Sequence, residues 1–151
     1  MKENLKVQGS VIIFTTPEKL WKVLTGLDTI RRYLFGSVVK TDWKKGSDIW
    51  FSRQYEGKKY IDKGKILEII ENNSLKYSFF NSQEGYEDTP ENYSTIEYSI
   101  LKKNDHEVEL RFSREYIPIE FERKNQEEYL PHLLQQIKAI SEEYPFHIWF
   151  Y

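Results

Sequence analysis

With 151 residues, 39% of them hydrophobic and 30% charged, and a formal net charge of -2, the chain has enough apolar material for one packed core. That balance excludes intrinsic disorder, and it argues against nucleic-acid binding, which needs surplus Lys and Arg to neutralise phosphates. The chain holds no cysteine, which excludes disulfides and thiolate chemistry, and its polar opening MKENLKVQ carries no signal-peptide core. No run approaches the roughly 18 apolar residues of a membrane span, so the expected location is the cytoplasm.

Leu5 to Phe14 is rich in β-branched residues and predicts a strand. Thr16 then stands where a helix N-cap is needed, and Pro17 at the first helical position, where its missing N–H costs nothing. Leu20, Trp21, Val23 and Leu24 recur at helical spacing up to Gly26. A second short helix is expected over Asp28 to Leu34, closed by Gly36. Strand candidates follow at Ser37 to Thr41, Asp48 to Tyr55, Lys59 to Ile70 and Leu75 to Asn81, with Glu56-Gly57 as a hairpin turn. The polar segment Ser82 to Asn92 carries Gly85 and Pro90 and is expected to be a mobile loop. Tyr93 to Lys102 and Glu107 to Tyr116 complete an antiparallel meander. From Glu122 the period becomes helical through Tyr129, Leu130, Leu133, Leu134, Ile137 and Ile140, with Pro131 expected to kink or break the helix. This segregated order means an α+β fold with the last helix packed on one face of the sheet. One domain is expected over residues 1–143, with residues 144–151 as an aromatic extension.

Three landmarks carry a resemblance to a known family. Pro17 to Leu24 resembles a Pro-x-x-hydrophobic-Trp-x-x-Leu helix, with Trp21 as its tryptophan. Lys45-Gly46-Ser47 resembles a glycine turn before the third strand, and Gly64-Lys65-Ile66 with Leu75-Lys76-Tyr77 resembles a Gly-x-Val...Leu-x-Tyr pair of strands. Together, over about Val7 to Glu142, these are similar to the AHSA1-like (activator of Hsp90 ATPase homologue) branch of the START/Bet v 1 (SRPBCC) superfamily. The resemblance implies a helix-grip fold: a curved antiparallel β-sheet wrapped around a long C-terminal α-helix, with two short helices after the first strand. The family often has Gly-Trp near the start of the last helix, where this chain has Asn125-Gln126, which removes an aromatic from the cavity mouth. Hsp90 activation belongs to larger two-domain eukaryotic co-chaperones, so a co-chaperone-like role is the weaker implication.

The residues offer no catalytic constellation. His106, His132 and His147 do not pair at metal-binding spacing, and the sequence has neither a phosphate loop nor a nucleophile elbow. No catalytic residue, metal or cofactor is therefore assigned. Aromatic residues make up 16% of the chain, which suits either an aromatic core or a pocket for an apolar ligand. Period-2 alternation places Phe51, Arg53 and Tyr55, Tyr77 and Phe79, Tyr98 beside Ile96 and Ile100, and Phe112, Arg114 and Tyr116 on the inner wall. Leu133 and Ile137 of the last helix would face them. On the longest strand, Ile61, Leu67 and Ile69 have one parity and Tyr60, Ile66 and Ile70 the other, so its inner face stays open.

Two readings of Arg53 and Arg114 remain. They face the pocket and complement a ligand carboxylate or phosphate, or they reach water or pair with residues such as Asp62 and Glu97. The terminal YPFHIWFY run either folds back, builds a homodimer interface, contacts a membrane or covers the cavity. The leading functional reading is a non-catalytic binding or carrier domain for a hydrophobic small molecule. The alternatives are an interaction module using its tail or surface, and a cavity enzyme such as a cyclase or hydrolase.

Overall fold

The computed structural model describes the backbone of residues 3–149 and the side chains of residues 3–143. Strand β1 (Val7–Ile13) leads into helix α1 (Pro17–Thr25), whose cap is Thr16: its hydroxyl accepts from the Lys19 N–H at 3.3 Å. Leu20, Trp21, Val23 and Leu24 form the buried stripe of α1. Gly26 joins it tightly to α2 (Leu27–Tyr33), since a Cβ there would lie 2.7 Å from the Lys22 carbonyl oxygen.

Strands β2 (Val38–Thr41), β3 (Asp48–Tyr55), β4 (Lys58–Ile70), β5 (Ser74–Phe79), β6 (Ser94–Asn104) and β7 (Glu107–Glu115) follow. With β1 they form one seven-stranded sheet in the order β1-β7-β6-β5-β4-β3-β2, antiparallel throughout. The β3–β4 hairpin closes through Glu56 and Gly57 at φ 49° and 78°, the doubly left-handed pair that matches the strand twist. Helix α3 (Glu120–Trp149) then packs along β1, α1 and α2. Its Leu130, Leu133, Leu134, Ile137 and Ile140 join the inner face of the sheet in one apolar core. No described helix is long and apolar enough to cross a membrane.

Two expectations change, and the open parity of β4 is resolved. Helix α3 runs through Pro131 without a break: Pro131 and Glu127 are exposed, so the carbonyl that lost its intrahelical partner can bond water. On β4 neither parity holds throughout, because the β4–β5 register shifts between Ile66 and Glu68. Asp62 and Ile66 are buried before the bulge and Ile69 packs on the core after it, while Ile61 and Leu67 are exposed. The segment after β5 is not a free loop. It forms two short helical turns, Ser82–Glu84 and Pro90–Asn92, tied by Tyr93 Oη donating to Asp88 at 2.7 Å and by a Lys63–Asp88 ion pair.

Candidate functional site

The space between sheet and α3 is occupied by large side chains. Phe51 contacts Tyr77 at 5.6 Å and Phe79 at 5.8 Å between ring centroids, and Tyr98 meets Phe112 edge-on at 5.2 Å. Within this apolar wall the Tyr77 and Tyr98 phenols lie close enough to act on each other, and the Tyr33 hydroxyl donates to the Leu24 carbonyl at 2.8 Å. Burial pushes the Tyr33, Tyr77 and Tyr98 phenols well above the ordinary 10.0, and it raises Tyr129 to about 12.

The unfolded chain ionises these phenols near pH 10, whereas the folded chain holds their protons. Their contribution to stability is therefore complete below pH 10 and is lost as pH rises through the higher folded values. Alkaline titration is expected to release the buried tyrosinates together with loss of the sheet circular-dichroism signal. Full tyrosinate absorbance at about pH 11.5, where free phenols are almost wholly ionised, in a chain that is still folded would contradict this.

One end of the grip is charged. There the ends of β3, β5 and β7 and the starts of β4, β6 and α3 converge. Arg114 of β7 pairs with Glu122 of α3, the two side chains only 6% and 4% exposed. Arg114 also donates to Ser94 Oγ at 2.9 Å and Gln126 Oε1 at 3.0 Å, and its guanidinium lies 5.3 Å from the Phe79 ring centre. Arg53 of β3 pairs with the buried Asp62 at 2.7 Å and donates to Gln83 Oε1 at 2.8 Å. Segment 81–86 links the two pairs. Asn81 accepts from Arg53 at 3.4 Å and donates to Glu122 at 3.3 Å, while Ser82 donates through backbone and side chain to Asp62. Tyr86 Oη donates to Glu122 at 2.6 Å; burial first, then this bond, drives its phenol well above the ordinary value. Two arginines thus meet two carboxylates, and the network carries no net charge.

Of the residues expected on the inner wall, Phe51, Tyr77, Tyr98, Phe112, Arg114, Leu133 and Ile137 are buried, and Phe79 and Arg53 are half-buried. Two expectations are corrected. Tyr55 is 50% exposed, because it ends β3 at the hairpin where no wall stands opposite. Tyr116 is also exposed: β7 stops at Glu115, and Tyr116 turns to φ 57°, which breaks the alternation. Arg53 takes the Asp62 partner named from the sequence, whereas Arg114 chooses Glu122 and not Glu97.

Glu122, Asn81, Ser94, Tyr86 and Gln126 escaped the sequence reading. Gln126 stands in the Asn125-Gln126 pair that replaces the family's Gly-Trp, and here it binds Arg114. That departure was the one available signal. Among the described residues no cluster of His, Asp and Glu could hold a metal ion. The side chains of residues 144–151, including His147 and the aromatic run, lie outside the described set.

A curved antiparallel sheet gripping one long helix, with two short helices after the first strand, defines a helix-grip domain. The chain belongs to the family described as activator of Hsp90 ATPase homolog 1-like protein, whose sequence profile matches residues 15–142. Among solved structures, ChR145 from Cytophaga hutchinsonii is 32% identical with a TM-score of 0.79, covering 95% of this chain and 97% of its own. The Aha1 dimer from Colwellia psychrerythraea is 16% identical with a TM-score of 0.69 over 91% and 96% of the two chains. An HSP90 activator from Plasmodium falciparum is 18% identical, also with a TM-score of 0.69, over 89% and 94%. Among curated proteins none matches the chain.

Proposed function

We propose that the chain is a non-catalytic binding or carrier domain for a hydrophobic small molecule held between the sheet and α3. The charged network at the end of the grip supports this reading. Stability alone does not call for it, since apolar residues of similar volume do as well as a buried ion pair or better. On this reading that end of the grip is the way in, since segment 81–86 joins the network through side chains without belonging to any strand. Such segments open at lower free energy than the strands they cover.

Entry then displaces Phe79 and the neighbouring rings, and the Tyr77 and Tyr98 hydroxyls offer a polar partner inside. Because Asp62 and Glu122 already neutralise Arg53 and Arg114, a neutral amphipathic ligand suits the space better than a carboxylate. The test is native mass spectrometry of the purified chain, combined with titration by the neutral dye Nile red. Saturable binding is expected, with Tyr86→Phe accelerating association severalfold. Absence of both a retained molecule and saturable dye binding would sink the proposal.

A second reading, a protein-interaction module, draws on the outer face of the sheet. Val38, Trp50 and Ile61 are exposed on neighbouring strands there. The family description and the Plasmodium relative make Hsp90 the first partner to try. Stimulation of its ATP hydrolysis by this chain, lost in Trp50→Ala, would favour this second reading.

A further inference from the structure

Among the described residues β1 is an edge strand, with β7 on one side and no strand on the other. Its hydrogen-bonding parity can be read from its ends. The Ile12 carbonyl accepts from Lys138 Nζ at 2.8 Å and the Phe14 N–H donates to Glu142 at 3.0 Å, so both groups point away from β7. The Leu5 carbonyl, of the other parity, accepts from the Ile117 N–H at 3.0 Å just beyond β7. Backbone groups two residues apart along a strand point the same way. The N–H and C=O of Gln8 and Ser10 therefore line the free edge, while Val7, Gly9, Val11 and Ile13 bond to β7.

Helix α3 protects only part of this edge. From Ile12 onward its Lys138 and Glu142 cap the backbone. Between Lys6 and Val11 the helix instead leaves a groove of about 580 Å³, walled by Leu130, Pro131 and Leu134. Gly9 forms its floor, and a Cβ there would stand 2.9 Å from Leu130 Cδ2, so the Leu130 side chain would have to shift. Folded proteins generally cover or blunt an exposed edge, since it pairs readily with any extended chain. Among the described residues this edge is capped along one half and open along the other.

We propose that the open half of the β1 edge docks an extended peptide segment of a partner protein, which adds to the sheet as a further strand. Only another extended backbone presents donors and acceptors at the spacing that Gln8 and Ser10 require. Residues 6–11 span about 20 Å at roughly 3.3 Å per residue, room for five or six peptide residues. Peptide side chains opposite Gly9 and Val11 point to the inner side and meet Leu130, Pro131 and Leu134, so they are apolar. The alternate ones lie beside the exposed Gln8 and Ser10 on the outer face and are polar. A second copy of this chain fits less well, because it would bring its own α3 along the same edge.

The test uses the full chain and a synthetic peptide of alternating valine and threonine with lysine at both ends. Amide exchange followed by NMR should slow about tenfold at Gln8 and Ser10 on adding the peptide, with Gly9 and Val11 unchanged. N-methylation of the peptide amides that face β1 should abolish binding, and methylation of the alternate amides should not. Gln8→Pro should also abolish it, since proline on an edge strand with its nitrogen outward spares the ladder to β7. If that variant misfolds, the methylated peptides decide. Equal binding of both methylated peptides, or no protection at Gln8 and Ser10, would overturn the proposal. So would protection without peptide that grows with protein concentration, which would assign the edge to a second copy.

Discussion

Replacing Gly64 with alanine is expected to cost about 4 kcal/mol or more, at the extreme of single substitutions. A Cβ at this position would stand 1.6 Å from the Ser78 carbonyl oxygen and 2.5 Å from its carbon. These atoms are backbone, so no rotamer change relieves the overlap. β4 and β5 would have to separate where Lys63 and Phe80 exchange backbone hydrogen bonds at 2.7 and 3.3 Å and Lys65 N–H donates to Ser78 Oγ at 2.9 Å. Gly57→Ala makes the comparison, since Gly57 has open space around it and only its φ of 78° opposes a side chain. That substitution should cost about 1–2 kcal/mol. Urea unfolding of both variants measures the difference. Similar midpoints would mean that the two strands yield, and the close approach would then lose its structural importance.

The second large effect concerns Arg114 and Glu122. Glu122→Leu leaves a buried guanidinium with Ser94 and Gln126 but no counter-charge, and a loss of about 3–5 kcal/mol is expected. Arg114→Met strands the Glu122 carboxylate in the same way, although Tyr86 and Asn81 still donate to it. The double variant removes both charges and should recover most of the loss, ending within about 1 kcal/mol of the parent or above it. A double-mutant cycle in urea reads the coupling directly. If the two losses simply add, the residues do not act as a pair. The exposed Arg32–Glu143 bridge, 50% and 39% accessible, supplies the contrast, with an expected effect of about 0–1 kcal/mol. The Nile red titration of the double variant also bears on function: if binding is unchanged, the network plays no part in admitting a ligand.

How far these features were legible depends on the range of the interactions. The cap at Thr16, the proline at the first turn of α1 and the Glu56-Gly57 hairpin rest on a few neighbouring residues, and the structure has them where the sequence puts them. The Arg53–Asp62 pair was within reach because both residues sit on one hairpin, two strands with nearly fixed register. Arg114 was harder. Its outward alternatives on the sheet were visible, but its actual partner lies across a change from strand to helix. The direction in which α3 leaves β7 decides whether Glu122 turns inward, and that direction follows from packing against the whole sheet.

Local chemistry in the sequence therefore determined the order of elements, the antiparallel meander with the last helix on one face, and most of the row of aromatic residues on that face. Period-2 alternation and turn residues act over neighbours and need no further context. The tertiary structure alone decided the bulge that switches parity on β4, the exposure of Tyr55 and Tyr116, and the neutralisation of both arginines. It also decided which half of the β1 edge stays open. Each of these depends on which distant side chain or backbone comes to stand opposite, and that is settled only when the sheet has curved around α3.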